Sequence, residues 1–470
     1  MNEDEEARKL GIPQELINAE HFRKKTQLDE ALRWVNVYLN DHYEHYESIM
    51  MIGHIMGDAQ RFGFAQAIFK LCTLLRPEDS LAWANLGLCY QEGQNLVEGE
   101  KCFRKALELN PNNSIALNNM SQLYVNLAEP QKAVYVADKC IRIEPELPDA
   151  HYNRSLAMLQ MGNWQEGWKG YDHNLGKLNS RKERFYGMIP RWTGVEGMTL
   201  IAYGEQGLGD EISFASCIPD LMKKNKVFID CDHRLAGLFK RSFDCKVFGT
   251  RYKGDDTWHE NYDIDASVAM GSIPGFYRKK DEDFPGTPYL VADPQRRLMY
   301  RSLLDSLGTK KKIGISWAGG IKNTAAARRS MPLADMLPIL RQDATFISLQ
   351  YRDAQDIKTL EEKAGIKVHH WPFAVHSIDY DDTAALVAEL DLVITVTQSV
   401  VHLAGALGVP CWVLVPERPM WRYRLKGDGF LWANSVKLYR QKGEWVHCVN
   451  KIAYDLRDWL NQNSKRIKFA

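Results

Sequence analysis

The chain has 470 residues, 45% of them hydrophobic, with 60 Lys/Arg set against 60 Asp/Glu. That length exceeds one ordinary core and predicts two to four domains. The even balance hides a split: residues 1–175 carry 17 basic and 25 acidic residues, the remainder 43 and 35, so the front is a poor nucleic-acid surface and the back suits phosphate-bearing ligands.

The opening MNEDEEARK is acidic with no apolar run behind it, so no secretory leader is expected. The nine cysteines lie between Cys72 and Cys448 with no C-x-x-C pair. They read as small buried residues in a reducing compartment, which points to a cytoplasmic protein. No metal site is expected: Asp230-Cys231-Asp232 has bare D-x-D spacing but reads as a helix start. The most membrane-like stretch, Leu392–Val415, is broken by Gln398, His402, Gly405, Gly408 and Pro410, so no membrane span is expected.

Residues 1–43 are predicted helical, with Leu28, Ala31, Leu32, Val35 and Leu39 on one face. A repeat follows. Pro77, Pro111 and Pro145 are 34 residues apart, the period of tetratricopeptide helix–turn–helix units. In residues 80–113, Trp83, Leu86, Gly87 and Tyr90 fit the first helix, and Phe103, Ala106 and Pro111 fit the second and its end. One period back gives Gly53, Ala65, Phe69 and Cys72; one period on gives Leu117, Met120, Tyr124, Ala133 and Cys140. A degenerate unit from about Pro148 to Leu175 adds Trp164, Trp168 and Tyr171, read as cover for the array's end rather than as an acceptor platform. Residues 176–198, polar and basic, read as a linker.

From residue 199 the pattern becomes strand–helix alternation, which implies parallel sheets flanked by helices. The first strand runs into GEQGLGDEISFASCIPDL, residues 204–221. Its three glycines suit a tight turn close to a ligand, and Asp210 opens the helix that follows. A dinucleotide fingerprint has the opposite glycine order, and a simple helix cap is the bland alternative for Asp210. A second alternating region starts near Lys310. KKIGISWAGG is a strand entering a glycine turn, with Trp317 at its lip, and Lys322, Arg328 and Arg329 follow. Two readings stand for that basic loop, a diphosphate clamp or plain solvated charge. TFISLQ ends a strand at Gln350. Another strand ends at Thr397, Gln398 and Ser399, and HLAGALGVP follows from His402 to Pro410.

The segments at 204–221 and 402–410 resemble those of tetratricopeptide-repeat glycosyltransferases. Their catalytic part is similar to the ADP-heptosyltransferases and, more distantly, to O-linked N-acetylglucosamine transferases. The resemblance spans roughly residues 45–450. It implies an α plus α/β fold: helical repeats (1–175), a linker (176–198), an acceptor-side Rossmann-like domain (199–305) and a nucleotide-sugar-binding Rossmann-like domain (306–470), in the GT-B arrangement. It implies inverting, metal-independent sugar transfer to a hydroxyl, with a nucleotide diphosphate sugar as donor substrate and no further cofactor. Asp210 matches the position of the catalytic base, and Glu205 is its rival in the turn. The expected donor contacts are Gly207, Gly209, Trp317, Lys322, Arg329, Gln350, Thr397, Gln398, Ser399 and His402. Thr397-Gln398-Ser399 departs from the family's acidic residue at that strand end, which touches donor choice and activity itself. Expected partners are the nucleotide sugar and a protein or glycan acceptor. The alternatives are a repeat scaffold with an inactive transferase part and, less favoured for an acidic repeat arm, transfer to a modified nucleic-acid base.

Overall fold

The computed structural model describes residues 7–176, 181–252, 256–320, 326–351, 355–375 and 379–466. After α1 (Gln14–Lys24) and α2 (Leu28–Asp41), the helices recur at a fixed interval. First helices are α3 (Tyr46–Asp58), α5 (Ser80–Glu92), α7 (Ser114–Asn126) and α9 (Pro148–Met161), each starting 34 residues after the last. Second helices α4 (Phe62–Leu75), α6 (Leu96–Leu109), α8 (Pro130–Ile143) and α10 (Trp164–Tyr171) keep the same interval. The turn inside each pair repeats a left-handed residue: Gln60, Gln94, Ala128 and Gly162, at φ 57°, 66°, 60° and 80°. The period is physical as well as textual. A Cβ at Gly53 or Gly87 would lie 2.7 Å from the ring of Phe69 or Phe103, so each glycine admits the aromatic of its partner helix. Asp79 and Asn113 cap α5 and α7 through the backbone N–H groups of Leu81 and Ala116.

The chain divides into two compact units, Met1–Ala157 and Met158–Ala470. The break falls inside the fourth helix pair, not at the expected residue 175. The reason is α10, whose apolar face is covered by the rest of the second unit: Trp164 Nε1 donates to Asp281 Oδ1 at 2.6 Å and Trp168 Nε1 to the Arg278 carbonyl at 2.7 Å. Both indoles also pack edge-on to Trp421. The expected linker, 176–198, holds buried residues as well as exposed ones. Residues 177–180 lie outside the described residues, but Arg181, Tyr186 and Trp192 are buried, so the stretch after 180 is anchored to the second unit by these side chains while Phe185, Met188 and Val195 stay exposed.

That unit holds two all-parallel sheets. The first has the order β3-β2-β1-β4, from β1 (Thr199–Tyr203), β2 (Lys226–Asp232), β3 (Lys246–Arg251) and β4 (Ala266–Ala269). Thr199 pairs with Lys226 and Tyr203 with Asp230. The second has the order β10-β9-β8-β5-β6-β7, from β5 (Lys312–Ser316), β6 (Thr345–Ser348), β7 (Val368–His369), β8 (Leu392–Val396), β9 (Cys411–Val415) and β10 (Val436–Arg440). Strands β1, β4, β5, β6 and β8 are buried almost throughout, which is why they read as continuous apolar runs. Chain order reverses beside β1 in one sheet and between β5 and β8 in the other. Such switch points open crevices at the strands' carboxyl ends.

The helices that matter below are α11 (Leu208–Ala215), α12 (Pro294–Asp305), α13 (Asp381–Ala388), α14 (Ser399–Leu407) and α15 (Trp445–Arg466). Ile452, Leu456 and Leu460 of α15 join the core of the second sheet, as their spacing predicts. Helix α12 closes the expected 199–305 segment yet docks on the other sheet's layer: Arg296 binds Asp379 and Asp382 at 2.7 and 2.9 Å, and Arg297 and Arg301 bind Glu389. Among the described residues no helix is long and apolar enough to cross a membrane. Nor is there, among them, a cluster of His, Cys, Asp and Glu suited to a metal. All nine cysteines are free and all but Cys245 are buried.

Candidate functional site

A cavity of about 690 Å³ opens at the carboxyl ends of both sheets. That is within the range of small-ligand sites. One side is the turn Gly207–Asp210 that follows β1, together with Arg234 after β2. The other side is Gln398, Ser399, Val400 and His402 after β8, Arg329 and Gly320 from the loop after β5, Tyr351 after β6, and Met420, Arg422 and Tyr423 after β9. The N-termini of α11 and α14 both reach it, and such ends favour negative charge.

Asp210 is the one carboxylate in this lining among the described residues. It stands at the third position of α11, not at its cap: Gly207 is the cap residue, and Asp210 Oδ2 accepts its N–H at 3.2 Å. Oδ1 faces Arg422, whose Nη2 lies 2.8 Å away. Arg422 is 4% exposed, and its guanidinium stacks between Phe214 and Trp421 at 4.6 and 4.5 Å. Its Nε has no hydrogen-bond partner among the described residues, nor has His402 Nδ1 or Gln398 Oε1. Arg329 Nη1 donates to the Thr397 carbonyl at 3.3 Å, and burial lowers its affinity for its proton. Arg234 is neutralised in place, with Nε and Nη2 on the carboxylate of Asp232 at 2.9 and 2.7 Å. Among the described residues, the other two cations that line the cavity are Arg329 and Arg422.

The three glycines serve space rather than unusual backbone angles, for none has a positive φ. A Cβ at Gly204 would fall 2.2 Å from the Glu211 carboxyl, and one at Gly209 would fall 3.0 Å from Ser399 Cα and 3.2 Å from His402 Cδ2. Gly209 thus lets α11 and α14 cross closely, which brings Asp210 and His402 to one cavity. Gly207 lines the cavity but its neighbour there is Asp210 itself.

Several expected site residues are elsewhere. Glu205 is 2% exposed and faces away from the cavity, accepting from Arg181 at 3.1 Å, Gln206 Nε2 at 2.8 Å and the Gly271 N–H at 3.2 Å. Its oxygens are thus occupied and enclosed, and it does not line the cavity. Glu211 is buried against Arg251 and the Asp232 N–H; burial pushes it up, to about 7. Trp317 is core, not lip: it is 2% exposed, with Nε1 on Asp356 at 3.1 Å. Gln350 is buried too, its Oε1 accepting from Ser316 at 2.8 Å and from the Ala318 N–H at 3.2 Å, so it braces the β5 turn. The Thr397 side chain is buried, and its carbonyl engages Arg329. Lys322 lies outside the described residues. Asp230, of the D-x-D spacing, lies in β2 and is held by Tyr186, Thr250 and Arg184 in the interior.

His402 is the titrating probe of this site. Burial, aided by the positive charge of Arg422 and Arg329 and opposed by Asp210, lowers it to about 3. It is neutral at physiological pH, so it can offer a hydrogen bond but no charge to a phosphate. The unfolded chain takes up this proton near pH 6.5, the native protein near 3. His402 therefore adds stability above about pH 6.5 that drains away as the pH falls toward 3, by up to about 1.4 kcal/mol per pH unit. Histidine-ring NMR should show one imidazole still neutral at pH 5 and absent in His402→Gln. A titration near pH 6.5 for that ring contradicts the account.

Comparison with known proteins decides the first unit. Two tetratricopeptide-repeat family models match, at residues 80–113 and 102–135. Residues 80–135 are tetratricopeptide repeats. Relatives include Protein FlbA of Caulobacter vibrioides, 27% identical over 87% of this chain and 79% of its own length. The tetratricopeptide repeat-containing protein trd-1 of Caenorhabditis elegans is 25% identical over 28% of this chain and 17% of its own. Among solved structures, MamA aligns with 33% of this chain and 91% of its own at 21% identity and TM-score 0.29. A thermophilic TPR protein of Thermus thermophilus aligns with 33% and 86% at 17% identity and TM-score 0.32. The tetratricopeptide spacing of helix starts extends beyond the matched segment, from Tyr46 to the start of α10.

Sequence reasoning missed Arg422, Tyr380 and Arg234 in the cavity. Tyr380 Oη meets Ser399 Oγ at 3.3 Å. Arg422 had a readable signal: it lies in RPMWRYR, a loop following β9, and such loops face the same edge as Arg329 and Ser399.

Proposed function

We propose that the α/β unit is a GT-B-type glycosyltransferase of the inverting class, taking its sugar from a nucleotide diphosphate sugar. One observation carries the reading: a single carboxylate from the first sheet, Asp210, faces arginines and a helix N-terminus from the second sheet across one cavity at both sheets' carboxyl edges. Each part has a role in that chemistry. Asp210 takes the proton of the acceptor hydroxyl as its oxygen bonds to the anomeric carbon. The bond from that carbon to the diphosphate breaks, and the nucleoside diphosphate leaves with the electron pair. Arg329, Arg422 and the amide dipoles at Ser399 and Val400 stabilise the negative charge that develops. The departure at Thr397-Gln398-Ser399 fits an amide and a hydroxyl as donor contacts in place of a carboxylate, since Gln398 and Ser399 line the cavity and Gln398 Oε1 has no acceptor's partner there. Tetratricopeptide repeats commonly bind other proteins, so a protein acceptor, or a glycan on one, is the favoured partner. The repeats by themselves equally suit a scaffold with an inert α/β part; catalytic turnover separates the two.

The test is a panel of nucleotide sugars scored by melting temperature and then by transfer or donor hydrolysis, because a ligand of the folded state alone raises Tm. Arg329→Ala is expected to weaken a nucleoside diphosphate by roughly tenfold or more and the free nucleoside little, since the guanidinium's partner is phosphate. Equal losses for both ligands, or no turnover with any donor in the panel, defeat the reading.

A further inference from the structure

We infer that Arg422 is the principal phosphate-binding group of the cavity, and that Asp210 and the ligand's phosphate compete for it. This rests on the transferase reading above. In the structure Arg422 Nη2 meets Asp210 Oδ1 at 2.8 Å, and this pair joins the two sides of the cavity. The guanidinium is confined by the rings of Phe214 and Trp421, and Arg422 lines the cavity. Among the described residues its Nε has no hydrogen-bond acceptor, and Nη2 meets Asp210 as an ion pair without hydrogen-bond alignment, while the side chain is almost wholly removed from water. A buried guanidinium with an unused donor calls for a second anionic acceptor. No other carboxylate lines the cavity among the described residues, and Arg234 already has Asp232.

Asp210 is correspondingly engaged at both oxygens, by Arg422 and by the Gly207 N–H. An oxygen held by the guanidinium is not free to accept a proton from an acceptor hydroxyl. A phosphate that draws Arg422 to itself frees Oδ1 for the acceptor hydroxyl. Donor binding therefore precedes productive acceptor binding, and the base is active only when the leaving group is in place. That order makes Arg422 a positioning residue for Asp210 as well as a phosphate ligand.

The experiment is a double-substitution cycle read by calorimetric binding of inorganic pyrophosphate to the full chain, with melting temperatures as the folding control. Asp210→Asn should tighten pyrophosphate by about fivefold, the scale of one partly exposed ion pair. Arg422→Gln should weaken it by roughly tenfold or more. Asp210→Asn on top of Arg422→Gln should then change nothing, because the contested group is gone. Should the tightening persist undiminished without Arg422, it is only the loss of a nearby negative charge and the competition is refuted. No tightening in the single variant refutes it too, as does full affinity in Arg422→Gln. If pyrophosphate fails to bind the unaltered chain, the phosphate site itself falls, and the transferase reading falls with it. Arg422→Lys, which keeps charge but not the planar fork, guards against misfolding of the glutamine variant and should recover part of the affinity.

Discussion

Asp210→Asn is expected to lower sugar transfer by about 100- to 10,000-fold, the usual loss when a general base is removed. Folding should survive. The amide oxygen still accepts the Gly207 N–H that Asp210 Oδ2 holds at 3.2 Å, so the start of α11 keeps its cap. The helix end and the crossing at Gly209 are untouched. Nucleotide binding should be no weaker, since a negative charge leaves a cavity that also holds Arg329 and Arg422. The measurement is a rate under saturating donor beside a melting curve and a donor affinity. Transfer at near the unaltered rate reduces Asp210 to a helix-start residue. Glu205 then offers no refuge as the base, because it is 2% exposed and committed to Arg181 and Gly271.

The repeats were legible because their packing repeats. Gly53 and Gly87 face Phe69 and Phe103, and a close contact made twice leaves the same residue types 34 positions apart. Parallel strands were legible for a similar reason, since burial on both faces yields apolar runs such as LVITV and CWVLV. Within the site, Asp210, Arg329, Ser399 and His402 lie together at the edges where strand-end reasoning puts ligands. What strand-end reasoning does not give is the direction of a side chain. Trp317, Gln350 and Glu205 sit in the right loops but turn inward, to Asp356, Ser316 and Arg181. Each inward partner lies 24 to 39 residues away in the chain, so no local pattern announces it. Charge also misled at the linker. A run of polar residues reads as solvated, yet Arg181 is wholly buried because its partners come from three separate segments.

Arg181→Met should cost the α/β unit about 3–5 kcal/mol, the usual penalty for removing one partner of a buried ion pair. The guanidinium is 0% exposed. It donates to the Tyr171 carbonyl and Asp172 Oδ1 at 3.1 and 2.7 Å, to Glu205 Oε1 at 3.1 Å and to Ser272 Oγ at 2.9 Å. It also lies over the Tyr171 ring at 4.5 Å. Methionine matches much of the volume but none of the donors. Asp172 is half-exposed and water can serve it; Glu205 has 1% of its side chain exposed and is left charged in the interior with Gln206 and the Gly271 N–H. The loss should appear as a fall in Tm on the order of 10 °C. Glu205→Gln in the Arg181→Met background should recover part of it, because the uncompensated charge is gone. A fall of less than about 1 kcal/mol, within the range of ordinary surface substitutions and their neighbours, would mean that water reaches Glu205 and that the cluster is not closed. The same variant tests whether the cluster holds the turn that carries Asp210. Glu205 lies in the loop between β1 and α11 and Asp210 in the first turn of α11, so releasing the first should blur the position of the second and lower transfer even at temperatures where the protein stays folded.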